Sequence, residues 1–154
     1  MAYTTLEKIL ESGLKENEVI HLLNDEERDT VDIDLQNSSD PIVIRANKLI
    51  EKADAFIDSH LRGRFNLPLT ITPAMIEDIS TEYSIILFYE HRHRKEMPET
   101  LLMKKQEIIK TLEKIQRGSI NPGIEDEGTK SDQQIRVNKT SSNKIFTDDF
   151  LEDF

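Results

Sequence analysis

The sequence predicts an all-α protein, a helical bundle of about four to five helices with an extended C-terminal tail. Apolar residues from Ile42 to Leu61 recur at helical spacing, and those from Met75 to Tyr89 form a second, broader stripe of the same period. Cap residues, prolines and glycines bracket these stretches where helices start and stop.

At the start of the chain, Thr4 and Glu7 have the spacing of a capping box, and Leu6, Ile9 and Leu10 give one apolar face to a short helix that Ser12 and Gly13 can end. A second short helix is expected around Glu18 to Leu23, with Val19, Leu22 and Leu23 inward. From Asn24 to Asp40, Val31, Ile33 and Leu35 alternate with acids, a pattern open to an edge strand or a solvated loop, and the loop is favoured.

Asp40 before Pro41 combines an N-cap with the residue preferred at the first helical position. The helix that starts there runs to about Leu61 or Arg62, roughly 30 Å at ~1.5 Å per residue, and Gly63 supplies its left-handed end. Thr72 before Pro73 repeats the cap pattern for a helix carrying Ile76, Ile79, Tyr83, Ile86 and Leu87, widened by Met75, Ile85, Phe88 and Tyr89. Apolar over so much of its circumference, that helix belongs at the centre. Pro98 opens a last helix with Leu101, Leu102, Ile108, Ile109, Leu112 and Ile115 expected inside, and Gly118 ends it. Beyond lies a polar stretch without periodicity, then "IFTDDFLEDF". The expected organisation is a helical domain at 1–118, a polar linker at 119–143 and an aromatic–acidic docking tail at 144–154.

With 154 residues, 36% of them hydrophobic, the chain fits one ordinary domain with an appendage. A formal net charge of −10 repels phosphate backbones and anionic membranes, which argues against sequence-specific DNA binding. The absence of cysteine excludes a disulfide framework and cysteine-rich zinc sites. "MAYTTLEKIL" lacks the basic flank and apolar core of a signal peptide, and no apolar run approaches the ~20 residues of a membrane span. A soluble protein made in the cytoplasm is expected, with no membrane partner.

Between the two longest helices lies "HLRGRFNLPLTITP". Gly63 lets the chain reverse, Phe65, Leu67 and Leu69 anchor a crossing, and Pro68 and Pro73 stiffen it. The helix end "AFIDSHLRGRFNLPL", the proline-started "AMIEDISTEYSIILFYEHR" and the opening "MAYTTLEKIL" together resemble the small head-to-tail connector proteins of tailed phages, the head-completion or adaptor proteins, and especially their Mu-like prophage branch. The resemblance covers most of Met1 to Gly118, and "IFTDDFLEDF" is similar to the short aromatic tails that many members carry after a polar linker. The acidic stretch Asp25 to Asp34 and the long linker depart from the usual pattern.

What the resemblance implies is an all-helical adaptor that assembles as a homo-oligomeric ring, commonly a dodecamer, beneath the portal protein in the virion. Such a ring extends the DNA channel, lies close to genomic DNA without reading its sequence, and docks a second connector ring or the tail. It implies no catalytic motif and no cofactor.

Other constellations have plainer readings. His91 and His93 are two residues apart, so on a helix they point about 200° from each other and cannot share a metal; a solvated helix end suits them better. The acids around Asp32 and Asp34 lack the glycine and glutamate that an EF-hand loop needs. No nucleophile elbow or phosphate-cradling glycine loop is present, so an enzyme is not expected. Arg62 and Arg64 are either solvated turn charges or a clamp on a neighbour's carboxylate.

Glu16 to Asp40 holds nine acids against one arginine, a net of −8, whereas Pro98 to Arg117 holds five bases against three acids, a net of +2. In a head-to-tail ring such faces are complementary. The interface candidates are therefore Arg62, Gly63, Arg64 and Phe65 at the joint, Asp32 and Asp34 in the acidic stretch, and Phe146, Phe150, Leu151 and Phe154 in the tail. The rival expectation is a small acidic binding or regulatory module that masks a basic partner surface.

Overall fold

In a computed structural model, which describes residues 2–27, 29–30, 33–93 and 96–124, the chain folds as five helices. These are α1 (Leu6–Glu11), α2 (Glu16–Leu23), α3 (Pro41–Leu61), α4 (Ala74–Arg92) and α5 (Glu99–Gln116). Among the described residues there is no strand, and the stretch between α2 and α3 is turns and loop. The all-α expectation holds.

α3 starts as its sequence dictates. The Asp40 carboxylate accepts a hydrogen bond from the Ile42 amide at 2.9 Å, and Pro41 occupies the first turn, where no amide donor is required. α2 begins at Glu16, two residues earlier than the periodicity suggests. At α1 the cap is Thr5, whose hydroxyl accepts from the Lys8 amide at 3.4 Å. Thr4 does not cap, because its hydroxyl is buried 2.7 Å from that of Thr81 on α4. Thr72 does not cap α4 either: Pro73 is itself the N-cap, and its carbonyl accepts from the Ile76 and Glu77 amides. Proline fixes φ but not ψ, so the same residue fits the cap or the first turn, and here ψ is 148°, outside the helix. Pro98 precedes α5 in the same way.

Two clusters form the core. Leu6 and Ile9 of α1 and Val19, Ile20, Leu22 and Leu23 of α2 close over the first half of α3 and over Phe88. Ile108, Leu112 and Ile115 of α5 pack instead with Ala53, Ile57 and Leu61 of α3, Ile76 to Leu87 of α4, and Phe65 and Leu69 of the joint. α4 touches all four other helices, which is the central place its wide stripe requires. α5 packs on α3 and α4 and is an outer helix. Only one of its stripes is therefore covered, and Leu102, expected inside, is 45% exposed while Ile109 is half-buried.

After α5 the chain turns at Gly118 (φ +82°), where the Ser119 and Ile120 amides donate to the Lys114 carbonyl. Ile120 and Ile124 then pack on the second cluster. The described chain thus stays on the bundle for six residues beyond Gly118. No helix among the described residues is long and apolar enough to cross a membrane.

Candidate functional site

The antiparallel run of α3, α4 and α5 brings the end of α3, the start of α4 and the end of α5 to one end of the bundle. Gly63, with φ +101°, makes the reversal after the α3 cap at Arg62, and the Arg64 and Phe65 amides both donate to the Leu61 carbonyl. Phe65 is 6% exposed and belongs to the core. Arg62 points to solvent.

Arg64 is held inside the fold. Its Nη1 donates to the Ile115 carbonyl at 2.6 Å and lies 3.4 Å from that of Ile120, so a cation meets the orphan carbonyls and the negative dipole end of α5. The guanidinium also stands 5.0 Å from the centroid of the Phe65 ring. Of the two arginines read as a clamp, one is engaged within its own chain and the other remains outward.

At the opposite end, part of the acidic stretch is answered internally. Asp25 lies 2.9 Å from His91 Nε2 and 3.3 Å from Arg45 Nε, and Glu26 lies 3.3 Å from Arg45 Nη2. Arg45 also donates to the Leu23 carbonyl. Burial works to raise the Asp25 pKa, but the His91 hydrogen bond and the charges of His91, Arg45 and Arg92 outweigh it and hold the carboxyl below its ordinary value. Asp34 is exposed and shapes a turn, accepting from the Gln36 amide at 2.9 Å. Asp32, Phe146, Phe150, Leu151 and Phe154 lie outside the described residues.

A third polar group lies inside the bundle. Asp54 is 5% exposed on the core face of α3 and accepts from the Tyr3 amide at 3.1 Å and the Ser80 hydroxyl at 2.6 Å. Burial raises its pKa against the lowering effect of those two bonds. Tyr3, itself 3% exposed, donates its hydroxyl to Asp58, and burial followed by that carboxylate raises the phenol pKa far above its usual value. Together with Thr4 and Thr81, these groups fasten the N-terminal segment between α3 and α4. The signal was present in the sequence, since Asp54 falls at helical spacing between Ile50, Ile57 and Leu61 on an otherwise apolar stripe.

Among the described residues no three His, Cys, Asp or Glu side chains gather as metal ligands. What the geometry defines is an all-α bundle with charged groups at both ends, the acids of one end partly tied down and an exposed arginine at the other. The chain belongs to the family described as Bacteriophage Mu, Gp36, whose model matches residues 3–139, and it is accordingly a Mu-like phage protein. It is also 26% identical over 80 residues to "Gene product J" of Escherichia phage Mu, a stretch covering 52% of this chain and 54% of that protein. The match thus spans about half the length of that curated relative.

Proposed function

We propose that the protein is a structural connector of a tailed-phage particle, forming a homo-oligomeric ring, commonly a dodecamer in such assemblies, below the portal. The ring extends the DNA channel and docks a second ring or the tail, in the virion after assembly in the host cytoplasm. Membership of a Mu phage family across residues 3–139 carries the reading.

The surface is compatible with a head-to-tail ring. α2, with Glu16 and Glu18, packs in one core cluster, and α5, with four lysines against three glutamates, packs in the other, so the opposite charges sit on different helices of one subunit. The rival, an acidic module that masks a basic partner, is weakened by the internal pairing of Asp25 and Glu26 with Arg45 and His91.

Mass photometry and negative-stain imaging of the purified full chain, alone and with the portal protein of the same phage, test the proposal. Closed rings, or rings formed on the portal, are expected. A chain that stays monomeric or dimeric in both conditions fits the regulatory module and overturns the connector.

A further inference from the structure

The joint end of the bundle carries an open groove of about 410 Å³, walled by Asn66, Pro68, Leu69, Ile71 and Pro73 on one side and Ile124 on the other. Ile71 is 79% exposed, more than any other large apolar side chain among the described residues. Single exposed apolar residues are ordinary, but this one stands in a concavity that it shares with Pro68, Leu69, Pro73 and Ile124, with Asn66 and Thr70 as its polar walls.

Two observations indicate what fills it. First, Ile124, the last described residue, is one of the groove's walls, and thirty residues follow it in the sequence. Phe146 is 22 residues beyond Ile124, a stretch able to reach up to about 70 Å, so it can return to this groove or enter that of an adjacent copy at high effective concentration.

Second, the charges match. Arg62, Arg64 and Arg117 gather at this end, with Arg62 exposed and the Arg117 side chain 75% exposed beside Glu113. "IFTDDFLEDF" interleaves Ile145, Phe146, Phe150, Leu151 and Phe154 with Asp148, Asp149, Glu152 and Asp153. A partly apolar groove at the end of the bundle that also carries exposed Arg62 and Arg117 is complementary to an aromatic, acidic peptide.

We propose that the groove beside Ile71 is the docking site for segment Ile145–Phe154 of this chain. Its aromatics lie on Pro68, Leu69, Ile71 and Ile124, and its acids face Arg62 and Arg117. The assignment uses only the groove and the sequence, so it stands or falls separately from the connector reading.

The chain has no cysteine, so engineered pairs report on contact without background. In the full chain, an Ile71→Cys/Phe150→Cys variant under mild oxidation is expected to cross-link at least tenfold faster than an Ile44→Cys/Phe150→Cys control. Ile44 is also exposed, at 41%, but lies in the first turn of α3 at the far end of the bundle. A band at monomer size places the segment on its own groove and a ladder places it on a neighbour's; either supports the docking. Adding Arg62→Glu and Arg117→Glu should slow the first pair severalfold.

Equal rates for the two pairs overturn the proposal. So does an Ile71→Cys single variant that dimerises as fast as the double variant cross-links, because the occupant would then be the same groove of a second copy. A rate untouched by the arginine reversals overturns the placement of the acids beside Arg62 and Arg117. As a readout without cysteines, Ile71→Asp should speed chymotryptic cleavage after Phe150 severalfold, and no change counts against the site.

Discussion

Gly63 and Gly118 show how one residue type carries two different costs. Both have positive φ, +101° and +82°, where an L side chain is strained. A Cβ at Gly63 would meet nothing within 4 Å, whereas at Gly118 it would stand 3.2 Å from Arg64 Nη1. Gly63→Ala should therefore cost only the backbone term, about 1–2 kcal/mol. Gly118→Ala should cost that and part of the Arg64 hydrogen bond to the Ile115 carbonyl, about 1 kcal/mol more. Urea melts of the two variants should differ in that order, and equal losses would show that the guanidinium moves aside without penalty. Asp54 belongs to the same scale. Its place on an apolar stripe was readable, but its partners, the Tyr3 amide and Ser80, lie 51 and 26 residues away and come together only in the fold.

Among the elements, α3 was read from its caps to its buried face, because Asp40, Pro41 and Gly63 act through local backbone chemistry that tertiary contacts leave unchanged. α1 was displaced by one residue at its cap, since burying Thr4 against Thr81 takes away the hydroxyl that the spacing assigned to capping. The loop after α2 is the element whose behaviour depends most on charge. Asp25 ties it to α3 through Arg45 and to α4 through His91. Because the folded pKa of Asp25 is depressed, its contribution is present above the ordinary aspartate value and is lost as pH falls through the folded one. Asp25→Asn should thus melt below wild type near pH 6 and converge on it only as pH falls through the depressed folded pKa of Asp25. A gap that does not narrow as pH is lowered would mean the side chain acts through packing instead of charge.

Over the whole molecule, α2 packs in the core cluster built on the first half of α3 and α5 in the one built on its second half. Their opposite charge is a property of the subunit surface and not of any one contact. If acidic and basic faces meet between subunits, raising salt from about 0.05 to 0.5 M shortens screening from over 10 Å to under 5 Å and should weaken ring assembly. Sedimentation across that range checks it. Assembly that strengthens with salt would assign the joint between subunits to apolar contacts, of which Leu102 and Met103, exposed at 45% and 58%, are the outward candidates on α5.

The sequence by itself determined the helical class, the order of the five helices, the central position of α4 and the reversal at Gly63. Each rests on periodicity or backbone preference, which act over a few residues. Only the tertiary structure decided that Arg64 serves α5 and that Asp25 is held by Arg45 and His91. It also decided that Leu102 stays outside and that Ile71 and Ile124 line one groove. These outcomes depend on which surfaces meet across tens of residues, and a pattern within one helix gives the face to be buried without giving what will cover it.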